Sequence, residues 1–288
     1  MTRWILLSAL LLQDKIPLKL QLKPGLFKFE QTSKVAWKFE KIDDASRKAL
    51  EATYQGKFKN FKLADLQVMD LETVRSGEAK IDGVHEGLAQ AIYKVDRVRL
   101  KGRYYGTALD HTLDDPKKKV QGEFDEGVAD LLEEARRYLG RELRVPFDAL
   151  GRRQGKEPHF VFGALPEQPM ARGEKWEHSS SSTLDPLGVE VEIRAASTLA
   201  GSDRDLAVIQ TALTVAPKGK LSEEPKIAVE GSGTGQAEID LRNGRIVSAG
   251  TRYEIAVTVA GTDPDTKNPI DMKMIYTFEQ AERFTYGD

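Results

Sequence analysis

Four histidines, His85, His111, His159 and His178, are the side chains best suited to proton transfer or metal ligation near neutral pH. A helical zinc site needs two of them at i and i+4 with a glutamate beside the first, and none is so spaced. His85-Glu86 and Asp110-His111 become an acid–base or ligand set only if folding brings them together; isolated strand and loop histidines are the simpler reading. Gly231-Ser232-Gly233-Thr234-Gly235 has the composition of a phosphate loop. Such a loop must open a helix whose N-terminus faces the anion, whereas Gln236 to Leu241 reads as a strand, so a hairpin or bulged strand entry is expected. Ser179 to Ser182 lack the Gly-x-Ser-x-Gly elbow that exposes a nucleophile. Asp263-Pro264-Asp265-Thr266-Lys267-Asn268 alternates oxygen ligands without the central glycine and closing glutamate of a calcium loop. Lys117 to Lys119 are answered by Asp114, Asp115 and Glu123, as in a solvated loop. The sequence therefore assigns no catalytic residue, no cofactor and no metal.

What remains is apolar geometry. Phe27, Phe29, Val35, Trp37 and Phe39 fall on one face of a strand, and Lys28, Glu30, Lys34, Lys38 and Glu40 on the other. Leu18, Leu20 and Leu22 alternate with charged or amide residues just before Lys23-Pro24-Gly25, so an antiparallel hairpin is expected over Ile16 to Glu40. Glu123 to Leu139 places Phe124, Val128, Leu131, Leu132, Ala135, Tyr138 and Leu139 along one helical stripe. Acidic residues crowd its start, Arg136 and Arg137 its end, and Gly140 follows as a stop. Phe27, Phe29, Trp37, Phe39, Leu131 and Leu132 together form a candidate surface for an apolar ligand such as an acyl chain, if helix and sheet leave a groove. If they close on each other, the same six residues are an ordinary core.

The rest of the chain reads mainly as strands. Ile42 to Gln55 is ambiguous, with Asp43 or Asp44 able to cap a short helix. Phe58 to Thr73 and Ala91 to Tyr105 have strand character, and Thr107 to Val120 looks like an exposed loop. Leu165-Pro166-Glu167-Gln168-Pro169 reads as a connector, followed by strands through Val189 to Ile193, Ile209 to Val215, Ile227 to Val229, Gln236 to Leu241, Arg245 to Ser248, Arg252 to Val259 and Met272 to Phe278. Phe147-Asp148-Ala149-Leu150-Gly151-Arg152 is echoed by Ile239-Asp240-Leu241-Arg242-Asn243-Gly244-Arg245. The echo predicts two related halves, 15–164 and 165–288, after a leader of residues 1–14. The expected fold class is α+β and mainly antiparallel, as two related curved sheets or half-barrels with one main helix, Glu123 to Leu139.

The balance of 43 basic against 45 acidic residues gives no excess with which to neutralise a phosphate backbone, so nucleic acid is not an expected partner. Met1-Thr2-Arg3 followed by the apolar run Trp4 to Leu12 suits a secretory signal core and is too short to span a bilayer. Export to the periplasm or cell envelope is expected, although Ser8 to Asp14 contain no clean small-x-small cleavage site. Cysteine is absent, which removes disulfides, thiolate ligands and thiol nucleophiles.

With these residues in view, the chain resembles a family of uncharacterised bacterial exported proteins with a domain of unknown function. The likeness rests on Leu20-Gln21-Leu22-Lys23-Pro24-Gly25, Gly151-Arg152 to Gly155, Leu165-Pro166, Gly173-Glu174-Lys175-Trp176, Gly233 with Gly235, and Gly244-Arg245. These are turns rather than catalytic groups. The resemblance implies an envelope location and a β-rich, half-barrel scaffold. The expected function is a non-enzymatic exported protein that binds a hydrophobic ligand or an envelope partner. The alternatives are a structural envelope protein with a filled core, or a hydrolase whose site the sequence does not display.

Overall fold

The computed structural model describes residues 15–21, 23–59, 61–63, 66–118, 122–151, 165–184, 189–202, 205–219, 221, 225–262, 267 and 269–287. The leader, the segment 152–164 with His159, and residues 263–266 and 268 of the Asp263 to Asn268 loop lie outside them.

The described chain is mostly antiparallel strand. In order it forms β1 (Gly25–Ile42), α1 (Asp44–Gln55), β2 (Gln67–His85), β3 (Leu88–Tyr104), β4 (Thr107–Leu113), α2 (Glu126–Tyr138) and β5 (Glu142–Asp148). There follow β6 (Lys175–Leu184), β7 (Val189–Ser202), β8 (Leu206–Pro217), β9 (Lys226–Asp240), β10 (Arg245–Thr262) and β11 (Pro269–Tyr286). Where two curved sheets were expected there is one: an open, 11-stranded sheet in the order β4-β3-β2-β1-β11-β10-β9-β8-β7-β6, with β5 pairing a separate stretch of β3. Each part of the chain makes its own meander, and β1 pairs with β11 from Phe27↔Tyr286 to Ile42↔Met272, fusing the meanders into one ladder. Neither meander ends at that seam as a free edge, because an unpaired row of N–H and C=O groups seeks a partner.

Register keeps apolar residues on one face. Phe39 opposes Met274, Met274 opposes Val257, and Val257 opposes Val229, so the alternation legible within each strand is carried across four of them. Two tight turns, Glu86-Gly87 and Tyr105-Gly106, have both residues at positive φ, the geometry that matches strand twist in a two-residue hairpin. Thr107–Leu113 is thus a strand and not the loop its polar residues implied; it pairs with β3 from Thr107↔Tyr104 to Leu113↔Val98.

The apolar face is covered at one end by helices. α2 begins at Glu126, three residues after the expected start, and buries Val128 and Leu132 completely. Its exit is tied to β3 through Gly140, whose N–H donates to the Val95 carbonyl at 2.9 Å. α1 is a second helix, where one main helix was expected. Asp43 caps it by accepting the Ser46 N–H at 2.8 Å, and its other carboxylate oxygen accepts the Asp271 N–H of β11 at 3.0 Å. The described residues among Phe58 to Leu66 are not strand. Phe58, Phe61 and Leu63 are plugs driven into the core between α1 and β2, with Phe58 stacked on Tyr105 at 4.5 Å.

The hairpin expected over Ile16 to Glu40 does not form. β1 takes β2 and β11 as its partners, so Ile16 to Gln21 instead crosses the far end of the sheet as a strap. Leu18 and Leu20 are buried there against Leu150, Met170, Leu199 and Ile239 in a second core. The glycine run, expected at a hairpin or bulged strand entry, is interior to β9. A side chain on Gly233 would place its Cβ 2.2 Å from the Arg252 carbonyl and 2.6 Å from Tyr253 Cβ, so only glycine lets β9 and β10 approach this closely.

Two stability predictions follow from these contacts. Gly233→Ala lowers the unfolding free energy measured in urea by about 1–3 kcal/mol, whereas Ser232→Ala on the outer face stays within about 0.5 kcal/mol. For Asp43, burial raises its pKa but the hydrogen bonds from Ser46 and Asp271 outweigh it, leaving the carboxyl at about 2 against an ordinary 3.8. Its stabilising contribution is present above the unfolded value and is lost as pH falls through the folded one. Asp43→Ala therefore costs about 1 kcal/mol in urea denaturation at neutral pH, a difference that shrinks between about pH 4 and pH 2.

Candidate functional site

Of the six residues expected to form one apolar ligand surface, the fold brings together two separate groups. Trp37, Phe39 and Leu132 are buried in the larger core, with Leu131 packed against it. Helix and sheet interlock there, and Leu63, Val128 and Leu132 have no exposed surface. Phe27 lies farther along β1 and joins Ala79, Tyr93, Phe284 and Tyr286, while Phe29 packs against both this group and the larger core.

Phe27, Tyr93, Phe284 and Tyr286 of that group line a recess. Its walls come from the start of β1, the end of β11, the paired arms of β2 and β3, Phe147 of β5 and the turn between β9 and β10; the strap crosses its mouth. The space beyond the mouth amounts to about 60 Å³. Phe27 is its centre: its ring meets Tyr93 edge-on at 6.2 Å, Phe284 edge-on at 5.9 Å and Tyr286 at 5.2 Å. Tyr286 is fixed by donating its hydroxyl to the Ile246 carbonyl at 2.9 Å, and the Arg245 guanidinium lies over its ring at 4.7 Å. Burial pushes the Tyr286 hydroxyl well above its ordinary pKa, so it stays neutral.

The strap is held by backbone. Leu20 N–H donates to the Ala149 carbonyl and Gln21 N–H to the Gly244 carbonyl, both at 2.8 Å, and Ile16 bridges Met170. Gly244 has positive φ, and a Cβ there would come within 2.6 Å of the Gln21 nitrogen, so glycine is required both for the turn and for the strap's approach. The sequence signals the turn, but nothing in it signals that residues 16–21 dock on it.

Two residues along from Phe29, polar groups replace aromatics on the same face. Arg75 donates to Gln31 Oε1 at 3.1 Å, Gln31 Nε2 donates to Glu282 Oε1 at 2.7 Å, and Gln280 Nε2 donates to the same oxygen at 2.9 Å. Glu282 is only 6% exposed. The Arg75 guanidinium sits 5.3 Å from the Tyr138 ring at the end of α2, and burial lowers its pKa. Gln31 thus stands between a cation and an anion with its amide oriented to serve both. Sequence reasoning missed this chain because its members lie on three strands.

Among the described residues, the groups singled out for chemistry do not converge. His85 ends β2, His111 lies on β4 with its ring edge to Phe124, and His178 lies on β6 at the opposite border of the sheet. Burial holds the His178 pKa below its ordinary value. Ser179 to Ser182 belong to β6, and among the described residues no group of three metal-ligating side chains occurs. The outer face has a wider hollow of about 800 Å³ spanning β6 to β2, lined by threonine, glutamine and alanine. Its charges pair locally, Lys34 with Asp70 at 3.5 Å and Arg252 with Glu279 at 3.0 Å. The aromatic recess differs in being walled by rings that fix one another, and it is the candidate site. No family model matches the sequence, and no curated protein is found to be similar to it. No helix among the described residues is long and apolar enough to cross a membrane.

Gln31→Ala should cost about 1–3 kcal/mol in urea denaturation, because Glu282 loses a donor and Arg75 an acceptor in a buried setting. Gln31→Glu should cost more, since it sets a second carboxylate against Glu282.

Proposed function

We propose that this is an exported, non-enzymatic protein that binds a hydrophobic ligand in the recess behind the strap. The observation that carries the reading is the aromatic recess itself, walled by Phe27, Tyr93, Phe147, Phe284 and Tyr286. A filled core would leave no such space, and at about 30 Å³ per water the recess exceeds a single water in volume. Mostly apolar walls with a few fixed polar groups are the usual make-up of a small-molecule site. The ligand therefore lies beside Phe27, not between Leu131, Leu132 and the sheet. The basic start and short apolar run of residues 1–12 support export to the periplasm or envelope, in line with the family resemblance.

The reading includes two related halves joined at the seam between β1 and β11. In its support, Asp148 and Asp240 each close a turn by accepting a backbone N–H two residues on, from Leu150 and Arg242, both at 2.9 Å. A glycine at positive φ follows in each case, Gly151 and Gly244, and both turns receive the strap. A structural envelope role without a ligand draws support from the completely filled helix–sheet interface. A hydrolase has no observation in its favour.

Calorimetry with a medium-chain alcohol tests the proposal. Saturable binding with a negative heat-capacity change is expected. Ala91→Leu, which fills the recess, should weaken it about tenfold or more while circular dichroism stays that of the folded protein. The absence of saturable binding to the unaltered protein would leave the structural role.

A further inference from the structure

We infer, building on that reading, that the ligand is a single-chain amphiphile with an anionic head, a free fatty carboxylate. Three features of the recess lead there. The first is its charge. The described residues that line it include Lys23 and Arg245 and no aspartate or glutamate. The acidic residues at the two adjoining turns are already hydrogen-bonded: Asp148 accepts from Leu150 N at 2.9 Å, and Asp240 accepts from Arg242 N, Asn243 N and Asn243 Nδ2 at 2.9, 3.1 and 2.8 Å. These bonds hold the Asp240 carboxyl below the usual carboxylate range against the opposing effect of burial. Lys23 and Arg245 are thus the charged side chains of the described lining itself, and an anion is the complementary head.

The second is size. An engineered cavity of about 150 Å³ admits benzene, whereas about 60 Å³ here is less than half of that and suits the narrow end of an alkyl chain rather than a ring. The third is the rim. Leu26 borders the recess and is 61% exposed, an apolar side chain left in water beside it. A tail held by the aromatic rings leaves the head to Lys23 and Arg245 on the same lining.

Calorimetric affinities for a fatty carboxylate, the alcohol and the amine of equal chain length test the inference. The carboxylate should bind about tenfold more tightly than the alcohol, and the amine most weakly. Lys23→Gln, at an exposed position, should reduce the carboxylate-to-alcohol ratio about fivefold, and Arg245→Gln added to it should bring the ratio near one. Raising salt should weaken the carboxylate and leave the alcohol unchanged. Equal affinities for the three, or a preference for the amine, would overturn the anionic assignment while leaving a hydrophobic ligand in place. Failure of every chain to bind would remove both. Binding to anionic phospholipid vesicles with no uptake of monomeric carboxylate would equally overturn the free fatty acid as ligand.

Discussion

The antiparallel pairing of β1 with β11 is the interaction on which everything else depends. It joins strands from opposite ends of the described chain, and it runs almost the full length of both. Without it the first meander and the second would each present a long open edge, and neither would have a core of sufficient breadth. With it, Trp37 and Phe39 lie in register with Tyr276 and Met274, and the larger core becomes continuous from β4 to β7. Long-range ladders of this kind cost loop-closure entropy before they return contacts, so the seam is expected to form late in folding.

One-sidedness is the second consequence. Because register holds across the ladder, every strand turns its apolar residues to the same face, and that face must be covered. Two helices and the plug of Phe58, Phe61 and Leu63 cover one end; the strap with Leu18 and Leu20 covers the other. Between them the inner face carries a row of small polar side chains, Ser197, Thr211, Thr251, Gln280, Ser33 and Thr73, aligned by direct cross-strand pairing. Ser197 and Thr211 hydrogen-bond each other at 2.9 Å, and the chain from Arg75 to Glu282 lies beside the row. Beside the row, Phe29 packs against both the larger core and the aromatic group around Phe27, and Ile246 against that group and the core beneath the strap.

The strap links fold to function. It is attached through backbone hydrogen bonds and by a small set of leucines, whereas the walls from β1, β2, β3 and β11 are strands paired on both sides.

Local chemistry in the sequence was enough to place the strands of β1, β7, β10 and β11, because a pleated strand buried on one face imposes period-two alternation on its own residues. It also located the core of α2, the stop at Gly140 and the turn at Gly244, each set by neighbours within one or two turns of chain. Sequence could not distinguish a strap from a hairpin arm, since Leu18 and Leu20 alternate in either. Nor could it tell plugs from strand at Phe58 and Phe61, or interior glycine from turn glycine at Gly233. The single sheet, the separation of Phe27 from Trp37 and the meeting of Gln31 with Arg75 and Glu282 were decided only in three dimensions. Each depends on which strand lies beside which, and that choice rests on pairing between residues as distant in sequence as Phe27 and Tyr286, which no local pattern encodes.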